Sequence, residues 1–164
     1  MEAEYFMEIC LDEAVKAFEA NEIPVGAVIL SPKKEIIARA HNLTIQRNSP
    51  LAHAETLAID EAAKVLGNFR LTDCTLFVSK EPCIMCAGAI IEARIKKVIF
   101  GCYDIKRGTL GSVMDVNKFP FNHKVEVQGG VLEDKSKALL QKFFQARRGT
   151  EAVITGPTRN RLYA

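Results

Sequence analysis

The stretch Pro82-Cys83-Ile84-Met85-Cys86, taken with His53-Ala54-Glu55, constrains this chain more than any other feature. Cys83 and Cys86 are spaced so that both sulfurs lie on one face at the start of a helix. A helix N-terminus lowers thiol pKa, which predisposes such a pair to bind metal as thiolates. Two thiolates and one imidazole suit zinc. Three protein ligands leave the fourth position to water, as in a catalytic rather than a structural site. Glu55, just past His53, is then a candidate proton shuttle beside an activated water.

Other readings use the same residues. A lone C-x-x-C also occurs as a redox pair or as half of a structural zinc site, and a lone histidine as a satisfied core residue. Structural zinc calls for a second C-x-x-C or a C…H pair at finger spacing, whereas Cys10, Cys74 and Cys102 are scattered singly. Ile84-Met85 between the cysteines, and the small residues after them, do not suggest a thioredoxin-type motif. H-x-E followed by P-C-x-x-C resembles the signature of zinc nucleobase deaminases.

At 164 residues the chain is expected to form one domain with a substantial core. No apolar run approaches membrane-spanning length, and the start Met1-Glu2-Ala3-Glu4 is acidic, unlike a signal peptide. Five cysteines without a disulfide framework suit a reducing cytoplasm. No membrane partner and no organic cofactor are expected. The net charge of +2 permits an anionic partner, but nucleic-acid binding would need a local basic patch.

Along the chain, residues 3–20 read as a helix with Phe6, Ile9, Cys10, Ala14, Ala17 and Phe18 near a 3.6 period. Val25–Leu30 is a continuously apolar strand, and Ser31-Pro32-Lys33-Lys34 turns it into a second strand, 35–40. Gly26 in the first strand marks a close backbone approach, by a ligand or by packing. A polar loop through Asn42 delivers the chain to His53; Asn42 reads as a base-edge contact or a turn residue. Helices are expected at 54–66 and 83–94, and strands at 75–79 and 97–101. This alternation predicts parallel neighbours and an α/β fold. Ala87-Gly88-Ala89 would let the second of these helices press against the first. The long connection 102–122 carries Asp104, Lys106 and Arg107, either a phosphate- and ribose-contacting set or a solvated loop. Residues 124–131 are extended. A last helix, 133–147, bears Leu139, Leu140, Phe143 and Phe144 with Lys135, Lys137, Lys142, Arg147 and Arg148. The tail from Gly149 is expected to be loosely ordered.

Over about residues 4–148 the chain resembles the tRNA-specific adenosine deaminases of the cytidine deaminase-like fold. The resemblance is carried by Ile23–Val28, His41-Asn42, His53-Ala54-Glu55, Glu81–Ile90, Asp104-x-Lys106, Gly108–Val116 and Asn122-His123. It implies a zinc-dependent CMP/dCMP-type deaminase domain over 1–148, built as a three-layer α/β/α fold around a mixed sheet of about five strands. It implies one zinc per subunit, held by His53, Cys83 and Cys86, with Glu55 catalytic. The implied reaction is hydrolytic conversion of adenosine to inosine at the wobble position of a tRNA anticodon, by attack of water at adenine C6 and loss of ammonia. It further implies a homodimer whose partner chain completes each site, with the anticodon stem-loop as substrate. Asn42 would contact the flipped base, Ile23 line its pocket and Asp104 contact a ribose. Phe144 and the basic helix would hold the loop. The chain departs from the family pattern at Ser79-Lys80, Tyr103, Ile105 and Thr109-Leu110.

Three alternatives remain at this point. A free guanine or cytosine-type deaminase would share every zinc residue but would not need the 102–122 loop or the basic helix. A non-catalytic zinc-stabilised RNA-binding protein would have no use for Glu55. A dithiol redox protein would form a reversible Cys83–Cys86 disulfide and hold no zinc.

Overall fold

The computed structural model describes residues 2–154, with side chains through Arg148. The elements follow in order: α1 (Glu2–Glu19), β1 (Gly26–Leu30), β2 (Ile36–His41), α2 (Ala54–Leu66), β3 (Thr75–Lys80), α3 (Ile84–Glu92), β4 (Lys97–Cys102), a 3-10 turn (Val116–Lys118), β5 (Glu126–Gln128) and α4 (Glu133–Ile154). The strands form one mixed sheet in the order β2-β1-β3-β4-β5.

The period-2 alternation of β1 divides the core in two. Ala27 and Ile29 face the buried alanines of α2 (Ala54, Ala58, Ala62) and Ala87 and Ile90 of α3, together with Leu76, Val78, Val98 and Phe100. Val28 and Leu30 face Phe6, Met7 and Cys10 of α1 across Phe77 and Ile99. The last helix, α4, lies beside α1: the rings of Phe18 and Phe143 meet edge to face, and Gly101 of β4 leaves no space for a Cβ beneath Ser136. The result is the expected three-layer α/β/α arrangement with five strands.

The expected hairpin is present, with Ala27 opposite Ala40 and a bulge between Ile29 and Leu30. The expectation of parallel neighbours needs a correction. β3 and β4 are parallel neighbours, as are β4 and β5. However, β1 pairs antiparallel with both β2 and β3 and so separates β2 from β3. The hairpin folds β1 back into the middle of the sheet, where its wholly apolar sequence is buried on both faces.

Three further expectations change in detail. The last strand is only Glu126–Gln128, with exposed side chains. The final helix runs past 147 to Ile154; the rest of the expected tail lies outside the described residues. Gly88 is exposed, so the close approach of α3 rests on Ala87. Gly26 does mark a close approach, by α1: an added Cβ would lie 2.0 Å from the Cys10 carbonyl oxygen and 2.7 Å from the Ala14 nitrogen.

Candidate metal centre and active site

The two central helices begin at the same place. His53 caps α2 and Cys83 caps α3, each with extended backbone. Both helix N-termini point their positive ends at the site, which favours thiolates and carboxylates there. One turn into α3, Cys86 is fully buried. Nδ1 of His53 lies 3.6 Å from Sγ of Cys83 and 3.4 Å from Sγ of Cys86. A tetrahedral zinc with Zn–N near 2.05 Å and Zn–S near 2.3 Å would hold such atoms about 3.6 Å apart. The donor set and its spacing therefore fit one zinc ion. Among the described residues, these three are the group whose ligand atoms converge in this way, all within 4.8 Å of one another.

The electrostatics point the same way. The Cys83 thiol is pulled down to about 3, first by the hydrogen bond from Cys86, then by His53, and against the cost of burial. The Cys86 thiol is pushed up, chiefly because it donates that hydrogen bond. His53 is raised, mainly through its hydrogen bond with Cys83. The three groups thus hydrogen-bond to one another in place of a metal, and binding of a divalent cation would displace the protons they carry. Glu55, in the first turn of α2 and 4 % exposed, is not part of the ligand trio. Burial raises its carboxyl above the usual range, and its Oε2 accepts from the Cys86 thiol at 3.4 Å.

A cavity opens onto this cluster. Of the residues expected to contact the substrate, whether the base or the RNA loop around it, Ile23, Asn42, Asp104 and Arg107 line it. Lys106 and Phe144 do not. Lys106 is exposed on the adjoining loop, its backbone N–H donating to Asp104. Phe144 lies on α4 against the Phe143 ring. Several cations of α4 are engaged with α1 and its exit. Lys135 pairs with Glu8, Lys142 sits over the Phe18 ring, and Arg147 donates to the Asn21 carbonyl.

Asn42 is 5 % exposed, and its Oδ1 has no hydrogen-bond partner. Buried polar atoms are rarely left so, because each costs about 1–3 kcal/mol. Asn42 is among the residues that line the cavity.

Two buried glutamates hold the walls. Sequence reasoning gave neither a role, because their partners are remote in the chain. Glu22 accepts from the backbone N–H groups of Ile45 and Gln46, fixing the loop beyond Asn42. Glu81 accepts from the backbone N–H groups of Asp104, Leu110 and Ser112. The 102–122 connection is therefore a built wall, with Thr109, Leu110 and Val116 buried. The departures from the family pattern have local partners. The Ser79 hydroxyl accepts from the Gly26 N–H at 3.0 Å. The Thr109 hydroxyl donates to the Pro82 carbonyl at 2.9 Å. Tyr103 packs edge-on to Phe100, and Lys80 pairs with Asp104 at 3.0 Å. Ile105 remains 84 % exposed on the loop.

A family model described as the cytidine and deoxycytidylate deaminase zinc-binding region matches residues 1–102. A tRNA-specific adenosine deaminase of Bacillus subtilis is 47% identical over 146 residues, covering 88% of this chain and 90% of its own. One from Haemophilus influenzae is 44% identical over 146 residues, covering 88% and 84%. A solved chain from a study of A-to-I editing by tRNA:A34 deaminases at the wobble position of transfer RNA matches with a TM-score of 0.80 at 39% identity, covering 83% of this chain and 99% of that one. Shared sequence along nearly the whole chain, a common fold and a donor set built for zinc lead to one conclusion: the chain belongs to the tRNA-specific adenosine deaminases, within the zinc-binding cytidine and deoxycytidylate deaminase family.

Proposed function

We propose that this protein hydrolyses adenosine to inosine at the wobble position of a tRNA anticodon, releasing ammonia, and that it does so in the cytoplasm as a homodimer. The observation that carries the reading is the placement of Asn42 Oδ1, a buried acceptor without a partner, in the same cavity as His53, Cys83 and Glu55. A ligand-binding amide and a hydrolytic centre in one cavity suit a nucleobase that is read and deaminated in place.

His53, Cys83 and Cys86 would hold zinc, which when bound supplies a water acidified toward neutral pH. The rest falls to the chain. Cys86 would hold the metal as a thiolate, without the proton it donates here, which would leave Glu55 Oε2 free of that hydrogen bond. Glu55 would take one proton from the water and pass it to a ring nitrogen of the base as the oxygen bonds to C6. It would then carry the second proton, from the new C6 hydroxyl, to the amine, so that the C6–N bond breaks, ammonia leaves and the C6 carbonyl forms. Burial raises the Glu55 carboxyl above the ordinary range, which favours the protonated form that donates to a leaving group. Asn42 accepts from the base and Ile23 packs against it. Asp104 contacts a ribose, while Lys106, Arg107, Phe144 and the exposed part of α4 steady the loop. An anticodon base is already unpaired, so swinging it into the cavity costs little.

Two exposed apolar residues support the dimer. Leu51 and Ile84, close in sequence to His53 and Cys83, are 63% and 61% exposed. Apolar side chains beside a site that must exclude water suit coverage by a second copy.

The test is a substrate panel. Zinc-loaded protein is incubated with an anticodon stem-loop bearing a wobble adenosine, and separately with free adenosine, cytidine and guanine, with products read by mass spectrometry. Inosine in the stem-loop alone is expected. Turnover of a free base or nucleoside with the stem-loop untouched would overturn the substrate.

A further inference from the structure

Lys80 is the last residue of β3, at the end of the sheet from which the chain enters the metal centre. Its ammonium lies 3.0 Å from Oδ2 of Asp104, the two side chains being 26% and 11% exposed. Both residues line the cavity that holds His53, Glu55 and Asn42. The other oxygen of Asp104, Oδ1, accepts from the backbone N–H groups of Lys106 and Arg107 at 3.0 and 3.1 Å. Two N–H donors on one oxygen and an ammonium on the other use most of what a carboxylate can accept.

The charge of Asp104 is therefore offset at the cavity wall. An unpaired carboxylate there would repel the phosphates that flank any nucleotide offered to the site. Arg107 adds a second cation to the same wall, exposed on its outer side. The remaining acids of the cavity, Glu55 and Glu81, are buried, and Glu81 is occupied by the loop it holds. What the cavity wall presents to an incoming strand is Lys80 and Arg107.

From this juxtaposition we infer that Lys80 is a substrate-binding residue, receiving with Arg107 a phosphodiester next to the target base in a single-stranded nucleic acid. The inference rests on the RNA reading above and adds a specific contact to it. A lysine held by a carboxylate is oriented before the strand arrives, which lowers the entropy cost of the contact. It acts on binding and not on the chemical step, because its partner group on the substrate is unchanged by deamination.

The experiment is equilibrium binding of a fluorescent anticodon stem-loop to the zinc-loaded full chain over a range of salt concentrations. Glu55→Ala is used as the background to stop turnover. Lys80→Met is expected to weaken binding about tenfold at low salt and to reduce the slope of log Kd against log salt by about 0.7, one single-strand phosphate contact. Lys80→Arg, which keeps the charge, is expected to retain the slope. A slope unmoved by Lys80→Met, whether or not affinity falls, would reduce Lys80 to a partner for Asp104 and overturn the inference. If the parent chain binds no stem-loop at all, the RNA reading falls together with the inference. If the parent binds but Lys80→Met leaves the slope unchanged, only the role of Lys80 falls.

Discussion

Oε2 of Glu55 lies 3.4 Å from Sγ of Cys86, so the acid touches one of the thiols of the His53–Cys83–Cys86 trio without belonging to it. An acid in that position can move protons but is not needed to hold zinc. Glu55→Ala is expected to retain full zinc occupancy and to lose about 10²–10⁴-fold in kcat. Metal analysis alongside turnover checks this. Retained activity, or loss of zinc, would remove Glu55 from the role.

Cys86 is buried at the foot of α3 and meets both His53 and Glu55. Cys86→Ser is expected to lose zinc and to lower thermal stability, because the metal stabilises only a chain whose ligands are assembled. Full occupancy in this variant would point to another ligand.

The orphaned Oδ1 of Asn42 costs the folded protein stability. Asn42→Leu, close in shape and without polar atoms, is expected to raise unfolding stability by about 1 kcal/mol. The same change should lower kcat/KM by about 10² or more, since no group remains to pair with the base. A variant less stable than wild type would mean that Asn42 is satisfied in the folded protein.

The backbone of α1 passes so close to Gly26 that a Cβ has no room. Gly26→Ala is expected to destabilise the fold by about 1–3 kcal/mol or more, measured by urea unfolding, as α1 is pushed off the sheet. An unchanged midpoint would contradict the close approach.

Glu13, on α1, is 5% exposed between Lys16 at 2.8 Å and His41 at 3.2 Å. Burial opposes its ionisation, but hydrogen bonds from Lys16 and His41 outweigh that and hold the carboxyl below its ordinary value. A depressed carboxyl contributes stability above its unfolded pKa, about 4.3, and loses it as pH falls through the folded value. Stability should therefore drop as the solution is acidified below about pH 4.3, and Glu13→Gln should flatten that part of the curve. Parallel curves for the two proteins would show that Glu13 carries none of the acid sensitivity.

The metal trio and the acid were legible in the sequence because the chemistry itself restricts residue type and spacing: Cys83 and Cys86 must share one helix face, and Glu55 must follow His53 closely. The helices and the β1–β2 hairpin were legible for a similar reason, since periodicity and turn residues are local signals. The place of β1 between β2 and β3 was not, because strand order is set by long-range pairing that no local pattern records. Glu22 and Glu81 were missed likewise, as their hydrogen bonds reach 22 or more residues along the chain. Lys80 stood out only as an unusual residue. Its partner, Asp104, comes beside it because β3 and β4 are neighbours, with Lys80 opposite Cys102.

Metal titration of turnover tests the centre most directly. Metal-free protein is reconstituted with increments of zinc, and inosine in the stem-loop is measured at each step. Activity should be absent without zinc, rise linearly, and level off at one equivalent per chain, the capacity of the His53–Cys83–Cys86 trio. Full turnover by metal-free protein, or a plateau reached only well beyond one equivalent, would contradict a reaction run from this single centre.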